Sequence, residues 1–113
     1  MREKKIFTYQ EAKQLIPYVW KVTDNAFQQI NGVTEELRTA GAAGEHRAEL
    51  EERYEIIVTT WAEQMKKLGC EIKGLWLVDF DNGKGYYCWK YPEKALDHYH
   101  TYEEGFSGRM KIN

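Results

Sequence analysis

His98 and His100 stand two residues apart in the aromatic-rich C-terminal third of the chain. On a β-strand that spacing sends both imidazoles to one face, where such a pair can chelate a metal ion with Cys88 or Asp79 completing the ligand set. The plainer reading makes His98 a surface residue and His100 a hydrogen-bonding partner, so no metal and no cofactor are assigned from the sequence. Gly105-Phe106-Ser107-Gly108-Arg109 is a second candidate. A nucleophile elbow needs another residue between the serine and the second glycine, and a histidine later in the chain; neither is present. The glycine spacing matches a KH clamp, but no helix pair flanks it and the chain is not basic. An anion nest remains, with convergent amides and the planar fork of Arg109 suited to carboxylate or phosphate. The alternative is a glycine-rich turn whose arginine pairs with Asp79 or Glu104. Cys88, beside Trp89, is either a thiol activated by a neighbour such as His100 or a small packed hydrophobe. Asp81-Asn82-Gly83-Lys84-Gly85 lacks the spacing of a phosphate loop and reads as a hairpin turn.

These residues must be held in place by regular elements. Thr8 and Glu11 have the spacing of a capping box. After them apolar residues recur at Ala12, Leu15, Ile16, Val19, Val22, Ala26, Ile30, Val33 and Leu37, one stripe of a helix. The pattern predicts a helix near residues 9–40, weakened at Gly32 and kinked between Lys13 and Pro17. Gly41-Ala42-Ala43-Gly44 is expected to end it. A second stripe, Leu50, Tyr54, Ile57, Trp61, Met65 and Leu68, predicts a helix near 46–68, with acids early, Lys66 and Lys67 late, and Gly69 as its stop. The short connection implies an antiparallel helical hairpin over 8–68. Beyond Cys70 the helical period is lost and aromatics dominate. Strands are expected near 71–80, 86–90 and 95–101, as a three-stranded antiparallel meander, with the tail from Tyr102 as a loop with a short extended end. Trp76, Phe80, Trp89, Tyr99 and Phe106 read as the core between sheet and helices. The fold class is α+β, in a single domain over residues 1–113.

Several segments carry a resemblance. Leu77-Val78-Asp79-Phe80, Cys88-Trp89, Tyr99-His100 and Gly105-Phe106-Ser107-Gly108-Arg109, in that order, resemble the prokaryotic family known as domain of unknown function 2203. Phe7-Thr8, Glu11-Ala12 and Leu15-Ile16-Pro17 are similar to its start. Trp76 and Pro92 stand where that family usually has glycine, and His98 where it has an aromatic or aliphatic residue. The resemblance implies a small cytoplasmic protein of bacteria or archaea, and no activity. It also singles out Asp79, Trp89, His100 and Arg109. With Asp79 ending the first strand, His100 ending the third and Arg109 on a returning loop, we expect a small polar site at the sheet end. Trp89 would be its aromatic wall and Lys73 a further member. Asp79 and Arg109 are expected to pair, or to flank a gap that binds a small anion.

Composition narrows the function classes. Sixteen basic and eighteen acidic residues in 113 leave a net charge of −2, with no basic block, which argues against nucleic-acid binding. No apolar run is long enough for a membrane span or a secretory signal. Two cysteines are too few for a disulfide framework, which fits a reducing cytoplasm. The expectation is a binding or interaction module; the alternatives are a small enzyme using Asp79, Cys88, His100 and Arg109, or metal binding through His98 and His100. The first helix outruns the second, and its overhanging apolar stripe predicts self-association as a dimer unless kinking at Pro17 or folding onto the sheet hides it within one chain.

Overall fold

The structure, a computed structural model, describes residues 5–39 and 44–112. The capping box forms as the spacing predicts: the Thr8 amide donates to Glu11 Oε1 at 2.8 Å and the Glu11 amide to Thr8 Oγ1 at 3.1 Å. It opens helix α1, Tyr9–Thr39, which continues through Pro17. Of the expected linker, residues 41–43 lie outside the described residues, and Gly44 begins helix α2, Gly44–Lys67. At the other end of α2 the Cys70 amide bonds the Met65 carbonyl and the Gly69 amide the Lys66 carbonyl. This Schellman closure needs a left-handed residue, and Gly69 supplies it at φ +95. Thr23 is the one fully buried polar residue of the α1 stripe; its hydroxyl accepts from Trp61 Nε1 at 2.8 Å and so ties α1 to α2.

The sheet has five antiparallel strands in sequence order: β1 Glu71–Gly74, β2 Leu77–Asp81, β3 Gly85–Lys90, β4 His98–Thr101 and β5 Met110–Lys111. Two corrections to the three-strand expectation follow. The stretch expected as one strand near 71–80 is a hairpin, reversing at Leu75-Trp76 so that Gly74 pairs with Leu77. Apolar residues on both sides of the reversal disguise it. The short extended end expected of the tail pairs as a further strand: a short 3₁₀ turn at Phe106–Gly108 leads into β5, where Lys111 pairs with His98. The Asp81–Gly85 segment is the expected hairpin turn, with Asn82 Oδ1 accepting from the amides of Lys84 and Gly85 at 2.9 and 2.8 Å. Gly85 lies so close to the His100 carbonyl that a Cβ there would collide with it, which lets β3 and β4 pair tightly at this end.

One face of the sheet packs on the helical hairpin. Val78, Phe80 and Trp89 join Ile16, Val19, Trp61 and Met65 in the core. Phe7 stacks edge-on against Phe80 and Tyr9 against Tyr87, with ring centroids 5.3 and 5.5 Å apart. The overhanging start of α1 is therefore covered by the sheet of the same chain, and the stripe there needs no second molecule.

Trp76 is the one described non-glycine residue with positive φ, at 65. A left-handed tryptophan costs about 1–2 kcal/mol. Its ring offsets that cost, lying 4.9 Å from Trp61 and 6.1 Å from Phe27. Truncating a buried tryptophan costs about 3–5 kcal/mol. Trp76→Gly should therefore lower stability by about 2 kcal/mol in urea denaturation, despite relieving the backbone.

Candidate functional site

The other face of the sheet carries the polar groups. Strand alternation sends Val78 and Phe80 to the core and Leu77, Asp79 and Asp81 outward; on β3 it sends Trp89 inward and Tyr86 and Cys88 outward. Register aligns Asp79 with Cys88 and Cys88 with His98, and in the next row Asp81 with Tyr86 and Tyr86 with His100. The segment between β4 and β5 covers part of this face, with the Tyr102 hydroxyl donating to Asp81 Oδ1 at 2.7 Å.

At the centre is a buried pair. His100 Nε2 lies 2.8 Å from Asp79 Oδ2, and the two side chains are 4% and 1% exposed. His100 Nδ1 lies 2.8 Å from the Thr101 carbonyl. A carbonyl only accepts, so Nδ1 carries a proton and donates it. One further proton must lie between Nε2 and the carboxyl oxygen, whether as imidazolium with carboxylate or imidazole with carboxylic acid. Either way the pair is neutral overall, which is what burial favours. Burial pushes the Asp79 carboxyl above its ordinary value, against the opposing pull of His100 and the Cys88 thiol. Asp79 Oδ1 has no hydrogen-bond partner among the described residues, although the carboxyl group as a whole lies close to the Cys88 thiol.

Burial and the Asp79 carboxylate push the Cys88 thiol up to about 12, with Arg109 acting in the opposite direction. A thiol so protonated is no nucleophile at neutral pH, and both nitrogens of His100 are engaged elsewhere. Cys70, buried, is likewise pushed up to about 12. In the unfolded chain a thiol ionises near about 8.5. Between those values the folded state holds protons that the unfolded state has released, so stability falls as pH rises. Urea midpoints should decline from about pH 9 towards 12, and Cys88→Ser should flatten that decline.

Asp79 and His100 come together as expected. Arg109 reaches the cluster only at the Cys88 thiol and does not pair with Asp79: both its terminal nitrogens bond the Glu93 carboxylate, and its guanidinium lies 4.3 Å over the Phe106 ring. The expected Asp79–Arg109 pair is absent, because Asp79 already has His100 and Glu93 is folded back beneath Arg109 by the Lys90 amide at 2.8 Å. Burial favours protonation of Glu93, but the bonds from Arg109 and Lys90 prevail and hold it below the usual carboxylate range. Trp89 is no wall of the site. It faces the helices, fully buried, with Nε1 donating to the Glu93 carbonyl at 2.8 Å. Lys73 is on the outer face, its ammonium 3.1 Å from Glu71 and 4.4 Å over the Tyr86 ring. His98 shares the face of His100, as their spacing predicts, but its Nδ1 lies 3.9 Å from Glu93 and not in the Asp79 cluster.

A cavity of about 330 Å³ opens over the pair, walled by Lys73, Asp79, Tyr86, His100, Glu104 and Phe106 among others. Tyr86 and Tyr102 were not singled out from the sequence. Alternation alone places Tyr86 beside Cys88, so that signal was present; the contact of Tyr102 with Asp81 had none.

The motifs that build this face, from Asp79 through Cys88 and His100 to Arg109, lie within a match to one protein family, described as an uncharacterized conserved protein, that covers residues 5–112. The chain belongs to the domain of unknown function 2203 family. No curated protein and no solved structure matches it. Membership of the 2203 family carries no activity, so function has to be argued from the site. In this 2203 domain no helix of the described residues is long and apolar enough to cross a membrane.

Proposed function

We propose that the domain is a binding module for a small cationic ligand, held in the cavity over the outer face of the sheet. The observation that carries this reading is a buried, proton-sharing Asp79–His100 pair on a cavity wall and not in the apolar core. With the Asp79–His100 pair neutral overall, Glu103 and Glu104 outnumber Lys73 around that cavity, and Lys73 is already engaged by Glu71. A cleft of that sign concentrates cations, and Tyr86 and Phe106 add aromatic faces suited to ammonium or guanidinium groups. The small anion expected from Arg109 has less support, since Glu93 occupies the fork that would grip it. Methylguanidinium titrated into the protein should shift the NMR signals of His100, Tyr86 and Tyr102 and leave Tyr18 unchanged. The double variant Glu103→Gln/Glu104→Gln should weaken that binding about fivefold, the loss of about 1 kcal/mol of exposed charge attraction. Absence of shifts at millimolar probe, or the same shifts produced by inorganic phosphate instead, would refute the cation site.

Two further parts of the proposal concern the setting. Free Cys70 and Cys88 fit a reducing cytoplasm. Self-association no longer follows from the α1 overhang; what supports it is the groove between the helices, where Ile56 is 56% exposed beside Val22 and Thr60. Light scattering that returns a single-chain mass at micromolar concentration would remove it.

A further inference from the structure

We propose that the wall of this cavity holds a mononuclear site for a thiophilic divalent transition metal such as zinc, with Asp79, Cys88 and His100 as its protein ligands. The inference rests on the reading of the cavity as a cation site and names the cation. The three donor atoms lie within 4.8 Å of one another, and all three residues are buried. A tetrahedral ion with ligands at about 2.0–2.3 Å holds its donors about 3.3–3.8 Å apart, so small side-chain movements complete the set. Two observations besides the clustering point to a ligand. Asp79 Oδ1 is buried on a side chain only 1% exposed and has no hydrogen-bond partner among the described residues. His100 Nδ1 donates to the Thr101 carbonyl at 2.8 Å, the outer contact that orients a ligating imidazole, and Nε2, 2.8 Å from Asp79 Oδ2, would exchange that contact for the metal.

The proton balance also fits. Without an ion, the cluster carries one proton between His100 and Asp79 and another on the Cys88 sulfur, and is neutral. With the ion bound, a carboxylate, a thiolate and a neutral imidazole surround a dication, and the cluster is neutral again. Two protons leave for solvent as one ion enters, and no net charge is buried. Affinity therefore rises with pH. One sulfur, one nitrogen and one oxygen suit zinc or cobalt, while magnesium and calcium prefer all-oxygen sets. The fourth position would face the cavity, which Asp79 and His100 both line. His98 stays outside the set, beside Glu93.

Cobalt(II) is the probe. One equivalent added to the full, reduced chain should produce a thiolate-to-cobalt charge-transfer absorption and the visible bands of a tetrahedral ion. Zinc should displace it and magnesium should not. Cys88→Ser should abolish the charge-transfer absorption, and Asp79→Asn, which keeps the shape of the pair, should weaken cobalt binding by more than about tenfold. Calorimetry in buffers of different ionisation enthalpy should report two protons released per ion. The proposal is overturned if the absorption survives Cys88→Ser, if Asp79→Asn binds as tightly as the parent, or if excess cobalt changes neither absorption nor melting temperature. Failure with cobalt while methylguanidinium still perturbs Tyr86 and Tyr102 refutes the metal alone; failure of both probes removes the cavity reading as well.

Discussion

His100→Ala should lower the stability of the domain by about 3–5 kcal/mol, the cost of removing one partner of a buried charged pair. The loss comes less from the bond itself than from what it leaves behind. Asp79, 0% exposed, would keep a buried carboxyl group that has lost its His100 partner, with Oδ1 already unpartnered among the described residues. Its acidity is already pushed up by burial, and His100 is among the groups that oppose that push. In the variant the folded state therefore clings to the Asp79 proton more strongly than the unfolded chain does. As pH rises past the ordinary carboxyl value of about 3.9, the unfolded chain releases its proton first, so folding becomes less favourable. The deficit relative to the parent protein should be smallest near pH 4 and grow towards neutrality. Asp79→Asn is the contrasting variant. Its amide can donate to Nε2 of a neutral His100 while Nδ1 still donates to Thr101, so stability should stay within about 1 kcal/mol of the parent. Urea denaturation of both variants from pH 4 to 8 checks this. Equal losses in the two, or a His100→Ala deficit independent of pH, would show that the pair does not share a buried proton.

Trp61→Ala should be about as damaging, again about 3–5 kcal/mol. Trp61 is 1% exposed and stands where the three parts of the core meet. Its indole donates to Thr23 on α1 at 2.8 Å, and its ring meets Trp76 of the β1–β2 turn at 4.9 Å. Alanine would leave a cavity, an unsatisfied buried hydroxyl and a left-handed tryptophan without its support. Trp61→Phe keeps most of the ring contact and removes the hydrogen bond, so it should cost only about 1–2 kcal/mol. Denaturant midpoints for the two variants separate packing from the hydrogen bond. A Trp61→Ala loss below that of Trp61→Phe would mean the indole is not the keystone between hairpin and sheet.

Much of this architecture was legible as local pattern. The Thr8–Glu11 box, the stripe from Ala12 to Val33 and the closure at Gly69 depend on residues within one or two turns of each other. Their physics is local, and the structure repeats them nearly residue for residue. The Asp81–Gly85 turn was legible for the same reason, since Asn82 and Gly83 carry the turn chemistry themselves. Asp79 and His100 were also found, because their places at the ends of the expected first and third strands and the family resemblance both marked them.

What escaped depends on partners far apart in sequence. Leu75-Trp76 has no turn residue, and the reversal there holds because Trp61 and Phe27 bury the Trp76 ring. The last strand is two residues long, too short for any period, and exists because β4 offers it an edge. Trp89 and Cys88 are neighbours in the chain, yet alternation puts one in the core and the other in the polar cluster. Which face was which required knowing where the helices lie. Arg109 illustrates the remaining gap. Its charge was bound to be neutralised once partly buried, so a carboxylate partner was determined by sequence and physics together. The choice of Glu93 over Asp79 was decided only when the tertiary fold gave Asp79 to His100 and brought the Lys90 amide under Glu93. Residue types set which charges must be paired, and three-dimensional proximity alone selects the pairs.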